Sequence, residues 1–129
     1  METKPTFAPM LTIPHGVTDV DFYIKAFGAA ELRRFSNDDG SVHVSELSIG
    51  GAMFHLHEET EYSNMLSPQK AKASTVTIGL FVDDVHAVVA QAVAAGATIT
   101  SPVQDYDYGY RQGNIRDPHG HNWQIQMEI

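Results

Sequence analysis

A chain of 129 residues with 43% hydrophobic and 19% charged positions has the size and composition of one soluble globular domain, able to bury a core without disulfides or a structural metal. Sixteen acidic against eight basic residues give a formal charge of -8, a poor match for a nucleic-acid backbone that needs clustered Lys and Arg. The absence of Cys removes thiolate ligands and a thiol nucleophile and fits a reducing, cytoplasmic setting, and no stretch approaches the roughly 20 apolar residues of a membrane-spanning helix.

In chain order, residues 10–32 (MLTIPHGVTDVDFYIKAFGAAEL) read as a short apolar strand, a turn and an amphipathic helix. Val20, Tyr23, Ile24 and Phe27 fall at helical spacing, Thr18 or Asp19 can cap the start, and Gly28 can supply the left-handed stop. Three strand-like runs follow, AAELRRFS, SVHVSELSI and GAMFHLHEE, with Asp39-Gly40 and Gly50-Gly51 as hairpin turns. A polar stretch over 58–70 then leads into a connector over 69–74.

Residues 77–99 (TIGLFVDDVHAVVAQAVAAGATI) repeat the opening order. Val85, Val88, Val89, Ala92 and Val93 make the apolar stripe, Asp83 or Asp84 the cap, and Gly96 the stop. ATITSPV, a Tyr-rich loop, QGNIRD and HNWQIQMEI complete the second unit, with Pro118 and Gly120 in the last turn.

The chain is therefore expected to be α+β, β-α-β-β-β twice, in a single domain: module one over about 5–60, a connector over about 61–74 and module two over about 75–129. Each module should be a curled antiparallel sheet with a helix on its convex side. A cup between the two concave faces is the expected ligand site.

The pairing of DFYIKAFGAAEL with GYRQGNIRDPHGHNWQI resembles the vicinal oxygen chelate superfamily of glyoxalases, bleomycin-resistance proteins and extradiol dioxygenases, and within it the PhnB-like branch. That branch carries a late motif of the form W-G-x-R-x-G-x-x-x-D-P-x-G-H-x-W. Here Tyr108 stands in place of the first Trp, followed by Gly109, Arg111, Gly113, Asp117, Pro118, Gly120, His121 and Trp123. The resemblance covers nearly the whole chain and implies the glyoxalase/bleomycin-resistance fold, a homodimer, and a divalent metal held by one residue from each of four strands.

The positions that the resemblance assigns to those ligands hold Ala8, His55, Thr77 and Gln124. Ala cannot ligate, Thr and Gln are weak neutral donors, and only His55 is a good ligand, so no metal cofactor is expected. His43, Glu46 and His57 could rescue a metal by shifted ligation. His55 and His57 share one strand face about 7 Å apart. If an ion is bound in the cup, His55 and Gln124 are its candidate ligands.

Asp117-Pro118-His119-Gly120 reads as a tight turn, and Trp123 as a core aromatic. Asn122, Gln124 and Gln126 share the opposite strand face, as neutral hydrogen-bonding groups. Tyr106, Tyr108 and Tyr110 alternate and can form an aromatic rim, while Arg111 can hold an anionic group or pair with an internal acid such as Asp107. His55 could also act as a general base. His15 and His86 read as surface residues.

The expected function is binding of a small, aromatic or antibiotic-like molecule in a metal-free cup, with His55, His57, Thr77, Tyr106, Tyr108, Tyr110, Arg111, Asn122 and Gln124 as the ligand-binding set. The alternatives are a metal-dependent lyase or isomerase with a non-standard site around His55, and an interaction module with a vestigial pocket. Catalysis itself stays open.

Overall fold

The computed structural model describes residues 3–62 and 64–129. Eleven elements occur among them: β1 (Met10–Ile13), α1 (Asp21–Phe27), β2 (Ala30–Ser36), β3 (Val42–Ile49), β4 (Ala52–Glu58), α2 (Pro68–Ala71), β5 (Thr77–Phe81), α3 (Val85–Ala95), β6 (Thr98–Tyr106), β7 (Tyr110–Arg116) and β8 (Asn122–Glu128). They form two four-stranded sheets, ordered β1-β4-β3-β2 and β5-β8-β7-β6. In each, the first strand lies parallel to the fourth and the other pairs are antiparallel, so the repeat read from the sequence is a repeat of topology. In each module the helix carries the chain from the first strand to the far edge of the sheet, and two short hairpins bring it back so that the fourth strand lies parallel to the first.

The helix signals operate in slightly different ways in the two modules. Asp84 caps α3 by accepting from Ala87 N at 3.0 Å, and Gly96 ends it. In α1 the cap position is Val20, whose side chain is buried and offers no acceptor. Asp19 does that work one residue earlier, accepting from Asp21 N at 3.1 Å. Gly28, at φ 67°, is the left-handed stop that a side chain would strain.

Two other expectations change. The stretch read as a Tyr-rich loop is mostly strand: β6 runs through Tyr106 and β7 begins at Tyr110, leaving a tight turn closed by Gly109 N to Tyr106 O. Pro102 masked this continuity, but β6 is an edge strand with register shifts around Ser101, where a missing N–H is tolerated. The connector also contains a single helical turn, α2, capped by Ser67.

The apolar side chains of both sheets meet in one core. Leu11, Ile13, Leu47, Phe54 and Leu56 come from the first sheet, Ile115, Trp123 and Ile125 from the second, and Tyr23, Ala26, Val89 and Ala92 from the two helices. Trp123 packs directly on Phe27 and Phe54 of module one, at ring-centre distances of 4.7 and 5.6 Å. Strand alternation then sends the intervening polar residues to the other face of each sheet. Among the described residues, no hydrogen bond, ion pair or ring contact links a side chain on one polar face to a side chain on the other.

The turn before β8 locks the modules together. The buried Asp117 carboxylate accepts from Tyr23 Oη at 2.8 Å and Trp123 Nε1 at 3.0 Å through Oδ2. Its Oδ1 accepts from the backbone N–H groups of His119 and His121 at 2.9 and 3.1 Å. Gly120, at φ 93°, packs so closely under α2 that a Cβ would lie 2.7 Å from Pro68 Cβ. The turn therefore closes at Gly120 for both conformational and steric reasons.

Burial, and then the neighbouring Asp117 charge, push the Tyr23 hydroxyl well above its ordinary 10.0. The fold thus favours protonated Tyr23. That stability is fully present below the ordinary tyrosine range and is lost as the pH rises above it toward the folded-state value. In urea titrations Asp117→Ala should destabilise the protein by about 3–5 kcal/mol, because four donors, three of them buried, lose their acceptor. Tyr23→Phe should cost about 1–2 kcal/mol at neutral pH and flatten the decline in stability above pH 10.

Candidate functional site

The two polar faces carry different chemistry. On the first sheet, cross-strand register sets Arg33 beside Glu46 and Glu46 beside His55, and Phe35 beside Val44 and Val44 beside His57. Arg33 stacks over Phe35 with its guanidinium carbon 4.8 Å from the ring centre. The His55 side chain is half-buried and, among the described residues, makes no hydrogen bond, ion pair or ring contact. Glu46 is its register partner without bonding to it.

His57 lies at one end of this face. Its Nδ1 is 2.6 Å from the Glu58 carbonyl oxygen, and its ring centre is 5.0 Å from that of His43. Behind them the Glu58 carboxylate accepts from His43 Nδ1 at 2.8 Å, His15 Nδ1 at 3.0 Å and Asn37 Nδ2 at 3.2 Å. Burial raises the Glu58 carboxyl, but the hydrogen bonds from His15, His43 and Asn37 outweigh it and hold the group below the usual carboxylate range. His15, expected on the surface, is exposed at its ring yet tied to this cluster.

The second face is a row of side-chain amides beside a run of rings. Gln112 Nε2 donates to Gln126 Oε1 at 2.8 Å and to Gln124 Oε1 at 3.4 Å, while Tyr108 Oη donates to Gln112 Oε1 at 2.5 Å. Gly79 makes room for this row, since a Cβ there would lie 2.8 Å from Gln126 Nε2. Asn114, the register partner of Gln124, has a buried Oδ1 with no donor. Tyr106 stacks on Tyr108 at 5.3 Å, Tyr108 lies 5.8 Å from Tyr110, and Tyr110 meets Phe81 edge-on at 6.1 Å. Tyr108 and Phe81 are 66% and 60% exposed, so the run of rings is open to solvent at both of them.

The structure thus brings Tyr106, Tyr108, Tyr110 and Gln124 together on one side and His55 and His57 on the other. Thr77 is exposed on β5 beside Asn122. Asn122 lines a separate cleft of about 480 Å³ with Gln69, Lys72 and Arg116. Arg111 leaves the set: it alternates to the opposite face from Gln112 and binds Asp105 through both Nε (2.7 Å) and Nη2 (3.1 Å). Its partner is Asp105 rather than Asp107, because the hairpin register pairs residues 105 and 111 and leaves Asp107 in the turn. This pair holds the Asp105 carboxyl below its usual range. Phe81, Gln112 and Asn114 belong to the face but were not singled out from sequence, although Tyr110, Gln112 and Asn114 alternate visibly along β7.

A cleft of about 680 Å³ lies elsewhere, between β1 and the connector, lined by Met10, Thr12, Leu66, Pro68, Val76 and Ile78. None of the expected site residues lines it.

The four family ligand positions do not fit a metal ion. Ala8 has no donor, Thr77 is a neutral hydroxyl, and Gln124 Oε1 is already in the amide row, which leaves one imidazole. Among the described residues no group of three or more His, Asp or Glu converges on a metal position. No helix is long and apolar enough to cross a membrane.

Comparison with known proteins agrees with this architecture. Residues 17–125 match the Glyoxalase/Bleomycin resistance protein/Dioxygenase superfamily. The uncharacterized protein Mb0911c of Mycobacterium bovis is 33% identical over 132 aligned positions, covering 100% of this chain and 87% of that protein. The X-ray structure of the Arabidopsis thaliana gene product At5g48480 superposes with a TM-score of 0.72 at 30% identity, covering 97% of this chain and 100% of the other. A bleomycin-binding protein, solved in complex with bleomycin, shares the fold with a TM-score of 0.64 at 18% identity, covering 98% of this chain and 100% of its own. The chain belongs to the glyoxalase/bleomycin resistance protein/dioxygenase superfamily.

Proposed function

We propose that this protein binds a planar aromatic molecule bearing hydrogen-bonding groups, in a metal-free cup completed by a second copy of the chain, and that it acts as a cytoplasmic homodimer of the PhnB-like branch. The observation that carries this reading is the second polar face. A row of amides offers donors and acceptors, and four rings offer stacking surface. Charged residues stand at its two ends, Glu128 beside Tyr110 and Arg116 beside Asn122, and the row between them is neutral. The unpaired Asn114 Oδ1 accepts from a ligand hydroxyl or amide.

The second copy follows from the inward packing. A pocket suited to a drug-sized molecule buries most of its surface, and one open sheet face does not. Because the polar faces of one chain do not meet, enclosure requires the amide face of one protomer to oppose the His55 face of another. Two-fold symmetry supplies two such cups. The bleomycin complex of a protein with this fold is consistent with a ligand of that size, but the assignment rests on this chain's own residues.

Calorimetry against a panel of planar aromatics bearing hydrogen-bonding groups should find saturable binding. Tyr108→Ala should weaken it about three- to tenfold, the loss of one stacking contact. No binding across the panel would sink the reading. Sedimentation equilibrium at micromolar concentration should give twice the 14.2 kDa chain mass, and a monomer would remove the enclosed cup.

A further inference from the structure

The histidine cluster at the end of the first sheet lies outside the family's ligand positions and outside the amide face. A carbonyl oxygen only accepts, so the His57 Nδ1 at 2.6 Å from Glu58 O carries the proton and donates it. His43 Nδ1 likewise donates to the Glu58 carboxylate. In both neutral rings the lone pair is then on Nε2, the nitrogen not engaged in these bonds. Histidine ligands of metal sites are held in this way, with one nitrogen donating to a carboxylate or carbonyl and the other left to the ion.

The spacing also fits. Two imidazoles bound at about 2.0–2.1 Å to one tetrahedral ion have ring centres roughly 5 Å apart. The His43 and His57 rings stand 5.0 Å apart with planes at 63°. They come from adjacent strands of one rigid hairpin, with Val44 and His57 in register, so holding both costs little ordering. His43 keeps 47% of its side-chain surface exposed, which leaves an entry path.

We infer that His43 and His57 form a two-histidine chelate for a borderline divalent transition-metal ion such as Zn²⁺ or Ni²⁺, with water in the remaining positions and Glu58 fixing the rings from behind. Imidazole donors with no preset carboxylate ligand suit these ions and not Mg²⁺ or Ca²⁺. A site of two donors is compatible with the lack of any three-residue convergence. The inference is independent of the aromatic-ligand reading, since its residues lie in one module and its probe is the ion alone.

Equilibrium dialysis of the untagged full chain against ZnCl₂, NiCl₂ and MgCl₂ tests it. The expected result is one saturable Zn²⁺ or Ni²⁺ per chain and no Mg²⁺. His43→Ala and His57→Ala should each lower affinity at least tenfold. Glu58→Gln should lower it about 10- to 100-fold, the usual effect of losing a residue that orients a ligand. His86→Ala, an exposed substitution on α3, should leave it unchanged. Thermal melts of each apo variant separate loss of fold from loss of ligand, and imidazole ¹⁵N shifts on titrating wild-type protein with Zn²⁺ should single out the Nε2 atoms of His43 and His57. No saturable uptake, undiminished affinity in a folded His43→Ala or His57→Ala protein, or a matching loss in His55→Ala that moves the ion into the cup would overturn the assignment.

Discussion

One buried carboxylate decides how the two halves of this chain face each other. Asp117 sits in a turn of module two and accepts the Tyr23 hydroxyl from α1 of module one, together with the Trp123 indole and two backbone N–H groups. No cation neutralises it among the described residues, so these four donors carry the cost of its burial. An arrangement that pulled α1 away from β8 would take the Tyr23 hydroxyl from this buried carboxylate. With Tyr23 and Trp123 fixed, the apolar faces of both sheets close on one core and the polar faces are left outward. A single chain therefore displays two polar faces and encloses neither.

This division was only partly legible in the sequence. The repeat, both glycine helix stops, the Asp84 cap and the core role of Trp123 depend on local spacing and backbone freedom, which residues carry wherever they stand. Asp117 was legible as a turn residue, but its bond to Tyr23 spans 94 positions and follows from docking that no local pattern encodes. Arg111 shows the same limit at shorter range. Both Asp105 and Asp107 were near enough to pair with it, and only the hairpin register separates them. The Tyr-rich segment looked like a loop because Pro102 and the missing alternation of apolar residues obscured an edge strand. The family's ligand positions were readable as poor metal donors from residue type alone, whereas the histidine cluster needed the turns at His15 and Asn37 to come together on Glu58.

The repeat also shows how the faces diverged. Register places Glu46 beside His55 and Val44 beside His57 in module one, and Asn114 beside Gln124 and Gln112 beside Gln126 in module two. Corresponding positions on the same scaffold therefore hold ionisable groups on one side and amides on the other. Amides can both donate and accept without any charge to desolvate, which suits a surface that must be covered when a ligand arrives. Imidazoles and carboxylates on an open face keep their hydration until something with matching charge displaces it.

That asymmetry bears on assembly. Two identical amide faces opposed to each other would match donors and acceptors equally well in many registers, and two His55 faces would enclose a ligand with none of the amide row. Opposing unlike faces avoids both outcomes, and a two-fold axis achieves it twice with one interface. In the proposed homodimer the amide and aromatic face is then across from the face that carries His55. The two modules share one scaffold, and in the proposed homodimer the inward packing held by Asp117 makes their difference useful between chains and not within one.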